Sequence, residues 1–67
     1  MNDNTPTLNR VGELRRQREE LDREIAALTP RAIEEGYAAG LRAEVIAVEL
    51  GISVSRVHQI RREHRDT

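Results

Sequence analysis

The side chains best suited to chemistry lie between Ser53 and Arg65, in a segment with helical spacing. If Val57 and Ile60, three residues apart, point towards a core, the residues around them point outwards. Glutamine can pair with adenine through two hydrogen bonds, arginine can pair with guanine, serine can bond to several bases, and valine can contact a thymine methyl group. The outward side is therefore expected to read DNA bases, with five candidate contacts: Val54, Ser55, His58, Gln59 and Arg62.

Positive charge is concentrated on the same segment, although the whole chain has a formal net charge of −1. That overall balance argues against a protein that coats nucleic acid indiscriminately, because such proteins are basic throughout. From Ser53 to Arg65, however, four arginines accompany a single glutamate. This local excess predicts phosphate contacts from Ser53, Arg56, Arg61 and Arg65, with simple solvation of a helix surface as the alternative.

The elements that must position these side chains are two short helices joined by a tight turn. Before the turn, Ile46, Ala47 and Leu50 share one face of a first helix. Gly51 can adopt the positive φ that ends that helix, and Ile52 fills the turn. Ser53 is a good N-cap for the second helix, which is expected to span residues 53–64. This arrangement is a helix-turn-helix, whose second helix can enter the DNA major groove.

The stretch ELGISVSRVHQIRRE resembles the helix-turn-helix of bacterial sigma-factor region four and of small phage, plasmid and actinobacterial regulators built on that unit. The resemblance covers roughly residues 31–65, and it implies base reading by Val54, Ser55, His58 and Gln59. Relatives often carry charged residues where this chain has Val54 and Ser55, so their target sequences do not carry over. The resemblance also implies a bacterial or phage origin and makes RNA polymerase or another protein a candidate partner.

A heptad pattern precedes this unit over residues 8–29, after a polar stretch, residues 1–7, that is expected to be disordered. The narrow apolar stripe needs a covering partner, and a homodimeric coiled coil is the simplest arrangement. Folding of the helix back onto its own helix-turn-helix and pairing with a different protein are the alternatives. The predicted dimerisation residues are Val11, Arg18 and Ile25 at a positions, with Leu14, Leu21 and Leu28 at d positions.

The charges beside this stripe favour an antiparallel pair. A parallel pair would set Arg18 against Arg18 of the second copy, which is repulsive. An antiparallel pair would bring Arg15 towards the partner's Asp22 and seat Arg18 beside the partner's Leu21. The helical spacer would be about 30 Å long, close to the half-site spacing of a pseudo-palindromic site.

Thr29 and Pro30 predict a boundary, because Pro30 suits the first position of a new helix better than the interior of an old one. A second helix is expected from Pro30 to about Ala39, ending at Gly40. Gly36 within it is interpreted as a weakening of the helix rather than as a site of close contact. The predicted fold is therefore all-α: an N-terminal amphipathic coiled-coil helix followed by a three-helix domain, residues 30–67, that contains the helix-turn-helix.

Other classes of function have no support in the sequence. There is no cysteine, and His58 and His64, six residues apart, lie on different sides of a helix, so no metal site is expected. His64 is expected to be partly buried instead. Catalytic residues and cofactors are not expected, because no activated nucleophile or phosphate-binding glycine loop occurs. No apolar run is long enough for a signal peptide or a membrane span, which makes the cytoplasm the expected location.

Two functions are consistent with these features. The first is a dimeric, sequence-specific double-stranded DNA-binding protein that acts in transcription regulation. The alternative is a protein–protein interaction module that uses its N-terminal helix, with the helix-turn-helix as a scaffold. Ionic strength separates them, because phosphate contacts weaken steeply with salt and an apolar coiled-coil contact does not.

Overall fold

The computed structural model describes residues 4–65, which form three helices and no strand. Helix α1 spans Pro6–Ala38, α2 spans Ala43–Leu50 and α3 spans Val54–Arg65. The predicted all-α class, with a long N-terminal helix followed by shorter ones, is confirmed.

Helix α1 begins at Pro6, two residues before the heptad pattern of residues 8–29. Thr5 occupies the N-cap position without a capping hydrogen bond from its side chain, and Pro6 lies in the first turn. Proline is tolerated there because the first N–H groups of a helix have no partner within it. Of the stretch expected to be disordered, Pro6 and Thr7 are helical, and residues 1–3 lie outside the described range.

The predicted break at Thr29 and Pro30 is wrong, because α1 continues through Pro30 to Ala38. Pro30 lacks an N–H and so cannot donate to the carbonyl of Ala26, but the residues on either side retain theirs. The Thr29 hydroxyl donates to the carbonyl of Ile25 within the same turn. A break would have left several N–H and carbonyl groups without helical partners, which costs more than the single bond lost. The three-helix domain is therefore built from the last part of α1 together with α2 and α3.

Glycines in the left-handed conformation end α1 and α2, as the sequence predicted. Gly40 has φ 84° and Gly51 has φ 70°. After each, the following residue closes the helix: the N–H of Leu41 donates to the carbonyl of Gly36, and that of Ile52 donates to the carbonyl of Ala47, both at 3.0 Å. These bonds satisfy carbonyls at the helix ends and set the direction in which the chain leaves.

The core lies where the end of α1 meets the helix-turn-helix. Its buried residues are Ile33, Ile46, Ala47 and Val57, and Ile33 and Val57 have no exposed surface. The partly buried residues packed around them are Tyr37, Leu50, Ile52, Val54 and Ile60. Both faces predicted for the helix-turn-helix therefore point inwards, and α1 supplies the third wall.

Gly36 brings α1 and α2 into close contact, so its interpretation as a merely weakening residue is wrong. A Cβ atom at this position would lie 2.8 Å from both Cγ1 and Cδ1 of Ile46. Ile46 is only 4% exposed and belongs to the buried core, where side chains are closely packed. The absence of a side chain at Gly36 therefore allows α2 to lie against α1.

Candidate nucleic-acid interface

Helix α3 is fixed at its N-terminus by Ser53. The Ser53 hydroxyl accepts a hydrogen bond from the N–H of Arg56 at 3.0 Å, which satisfies one of the free donors of the first turn. Val57 anchors the helix in the core one turn later. The direction of every other side chain of α3 follows from these two anchors.

Four of the five predicted base-reading residues lie on the exposed side of α3. Ser55, Gln59 and Arg62 recur every three or four residues and form a stripe opposite Val57, with His58 at its edge. The Gln59 Nε2 donates to Oε1 of Glu63 at 3.2 Å. The amide of Gln59 therefore lies among exposed groups, with a carboxylate beside it.

Val54 departs from the predicted outward set. It is partly buried and packs against the core, because it precedes Val57 by three residues and so shares its face. The prediction that Val54 points outwards is therefore wrong. The part of the Val54 side chain that stays exposed lies between the core and the exposed stripe on α3.

Arg61, one of the predicted phosphate contacts, is turned towards α1. Its Nε donates to Oε1 of Glu34 at 3.0 Å, in an ion pair that is partly shielded from solvent. Its guanidinium carbon also lies 3.9 Å from the centre of the Tyr37 ring. The guanidinium thus joins α3 to α1 through two contacts, so Arg61 has a structural role. The signal for it was present in the sequence, since Arg61 follows Val57 by four residues and must lie near the buried face.

The other predicted phosphate contacts are exposed. Arg56 and Arg65 are open to solvent on α3. Ser53 is exposed too, although its hydroxyl already caps the helix. Arg56 lies at the start of the helix and Arg65 near its end, so the two flank the stripe of polar residues.

The predicted dimerisation residues are exposed along α1, and in the single chain this part of the helix does not fold back onto α2 and α3. The exposed fractions are 44% for Val11, 44% for Leu14, 58% for Leu21, 63% for Ile25 and 49% for Leu28. Arg18 is also exposed, in the middle of the row.

Two surface features escaped the sequence interpretation. A cleft between α1 and α3 is lined by residues that are far apart in the chain, so no local pattern announces it. On α2, Val45 and Val48 are 50% and 82% exposed, directly opposite the core face. The sequence does show apolar residues on both sides of α2, with Val45 and Val48 beside Ile46 and Ala47.

The described residues contain no group of three or more metal-binding side chains. His64, expected to be partly buried, is exposed, because α3 extends beyond its contact with α1 at that point. No helix between residues 4 and 65 is both long enough and apolar enough to cross a membrane.

Comparison with protein-family models, with curated proteins and with solved structures finds no match to this chain. The likeness to sigma-factor region four therefore rests on the residues of the helix-turn-helix alone.

Proposed function

We propose that this chain is a dimeric, sequence-specific double-stranded DNA-binding protein of the cytoplasm that regulates transcription, with α3 in the major groove. The observation that supports this most directly is the exposed stripe on α3. Ser55, Gln59 and Arg62 are three side chains that can bond to base edges, and they project from one side of a helix that is anchored on the other.

The residues of α3 divide into three roles under this proposal. Gln59 and Ser55 make direct base contacts, with His58 and Arg62 in support. Arg56 and Arg65 contact phosphates at the two ends of the stripe, and so do their neighbouring backbone groups. Arg61 is assigned to the attachment of α3 to α1, because its charge is already paired with Glu34.

Dimerisation is assigned to the exposed row on α1, defined by Val11, Leu14, Arg18, Leu21, Ile25 and Leu28 and called the seam below. A second copy of this seam would cover these side chains, and since each Leu or Ile is about half exposed, its burial would contribute about half of the roughly 1.5–3 kcal/mol of a fully exposed side chain, before association costs. Two helix-turn-helix units would then lie at opposite ends of an antiparallel pair. Their separation would suit two half-sites about one DNA turn, or about 34 Å, apart.

The test is selection of binding sites from random double-stranded DNA at two salt concentrations. A recurring sequence with inverted half-sites is expected, and its affinity should fall steeply with salt because phosphate contacts release counterions. The Gln59→Ala variant should lose discrimination at one position of each half-site, by about 1–3 kcal/mol or roughly 5- to 150-fold.

The matched control is Gln17→Ala, which removes the same side chain from the exposed surface of α1 and should leave the selected sequence unchanged. Failure to enrich any sequence at either salt concentration would overturn the proposal. Enrichment that is identical for the wild type and Gln59→Ala would reject α3 as the reading helix.

The second candidate function is a protein-interaction module, which is favoured by the long exposed seam and the net charge of −1. RNA polymerase and other proteins belong to this candidate as partners. A complex formed through the seam would persist at high salt, since apolar burial is not screened.

A further inference from the structure

A cleft of about 390 Å³ separates the middle of α1 from the helix-turn-helix. Its lining is mainly apolar: Ile25, Ala26 and Pro30 come from α1, whereas Leu50, Ile52 and Ile60 come from the other side. Charged groups stand at its margin, with Asp22 on α1 and Arg56 and Glu63 on α3. A cleft of this kind suits an apolar side chain carried on a basic segment.

The cleft is continuous with the seam. Ile25 belongs to both, and it is 63% exposed. Asp22 and Thr29, seven residues apart, also line the cleft and follow one flank of the seam. A partner helix that packs on the seam would therefore lie along the open side of the cleft. The residues on one flank of that partner helix would face the cleft.

We propose that the cleft receives Leu8 of a second copy of this chain in an antiparallel pair, an inference that rests on the proposed dimer. Leu8 is 68% exposed, the most exposed of the large apolar residues of α1. It occupies the same heptad position as Arg15, Asp22 and Thr29, and equivalent flanks face one another in an antiparallel pair. One antiparallel register sets Leu8 beside the partner's Thr29 and Arg15 beside the partner's Asp22. Both pairs fit the same register, because Arg15 lies seven residues after Leu8 and Asp22 lies seven residues before Thr29.

Charge supports the same occupant. On the flank that carries Leu8, the next residue of the same heptad position is Arg15, and the lining of the cleft includes the carboxylates of Asp22 and Glu63 against the single guanidinium of Arg56. A parallel pair would instead set Leu8 level with Leu8 of the second copy, far from the cleft beside Thr29, and would leave both clefts open. Because Arg56 and Glu63 belong to α3, the N-terminal turn of one copy touches the DNA-reading helix of the other.

Cysteine cross-linking tests this arrangement directly, because the chain has no cysteine of its own. Leu8→Cys and Thr29→Cys chains are mixed, treated with a short thiol-reactive cross-linker and digested for peptide mass spectrometry. Linkage of position 8 to position 29 between different chains is the expected result. A mixture of Leu8→Cys with Val48→Cys, on the outer side of α2, is the control and should give no link.

A second variant covers the case in which Leu8→Cys weakens the pair. Leu8→Asp should lower dimer affinity at least tenfold while leaving the fold of the monomer intact, since Leu8 contacts no core residue. Links of 8 to 8 and 29 to 29 would overturn the inference and leave the dimer standing. A chain that is monomeric at every concentration would overturn both, whatever its affinity for DNA.

Discussion

The guanidinium of Arg61 lies over the ring of Tyr37, with 3.9 Å between its central carbon and the centre of the ring. Tyr37 is the only aromatic residue of the chain. Glu34, one turn earlier on α1, accepts from the same guanidinium at 3.0 Å. These contacts join the C-terminal end of α1 to α3, the helix that carries the proposed DNA-reading stripe. The orientation of that stripe therefore depends on α1 as well as on the turn at Gly51.

Arg61→Ala should lower the free energy of unfolding by about 1–2 kcal/mol, through loss of the cation–π contact and of a partly screened ion pair. The salt dependence of DNA binding should keep its slope, because Arg61 contributes no phosphate contact. The neighbouring Arg62→Ala is the control, and it should weaken DNA binding without a change in stability. Chemical denaturation at fixed protein concentration and DNA titrations at several salt concentrations measure both effects. A shallower salt slope for Arg61→Ala would return this residue to the phosphate contacts.

Gly36→Ala should destabilise the protein, although alanine is the better helix former. The added Cβ meets Ile46, and overpacking costs about 1–3 kcal/mol against an intrinsic gain of about 1 kcal/mol. Gly12→Ala in the same helix is the matched control, because its Cβ would approach only the Nη1 of Arg16, at 3.5 Å. Thermal unfolding should move down for the first variant and up for the second. Equal upward shifts would show that α1 and α2 are not in close contact at Gly36.

Pro30→Ala should raise the free energy of unfolding by about 1–3 kcal/mol, because an interior proline removes a backbone hydrogen bond and alanine restores it. The same substitution at the first position of a separate helix would be neutral or slightly unfavourable, since proline is well suited there. Urea titrations followed by circular dichroism, with protein concentration held constant, distinguish these cases. A loss of stability would favour two helices over one.

Leu21→Glu should convert the proposed dimer into a monomer, because it places a charge in the centre of the seam. Leu21 is 58% exposed in the single chain, so the core formed by Ile33 and Val57 should persist. Val48→Glu, at an even more exposed valine on α2, should leave the dimer intact. Sedimentation equilibrium measures the mass of each variant in solution, which is compared with the monomer mass of 7.6 kDa. An unchanged mass for Leu21→Glu would reject the seam.

Glu63→Gln should strengthen DNA binding at low salt, because it removes the carboxylate that Gln59 contacts while an amide oxygen can still accept the hydrogen bond. The gain should shrink as salt rises, since charge interactions are screened. Glu20→Gln on α1 removes an equal charge away from α3 and should have a smaller effect. A decrease in affinity for Glu63→Gln, with the mass in solution unchanged, would mean that the carboxylate itself contacts the DNA bases.

Short-range rules recovered much of this fold. The periodicity of Ile46 and Val57, the positive φ of Gly51 and the cap at Ser53 are all set by residues within one or two turns, and all were expected. The errors arose where a distant residue decides. Arg61 pairs with a glutamate 27 residues away, and Gly36 serves a side chain on another helix. At Pro30 the local preference for a helix start was real, but continuity of α1 prevailed.

Because α1 runs unbroken through Pro30, it would act as a rigid helix that fixes the rotational orientation of each helix-turn-helix relative to the seam in the proposed dimer. One residue inserted before Pro30 would turn α3 by about 100° around the axis and push it about 1.5 Å further out. Insertion of a complete heptad would lengthen α1 by about 10 Å and would return α3 to nearly the same angle, to within about 20°. Insertions or deletions of seven residues in this segment are therefore expected to preserve DNA binding better than those of other lengths. Half-site spacing in DNA should show the same kind of dependence, with a period of one helical turn.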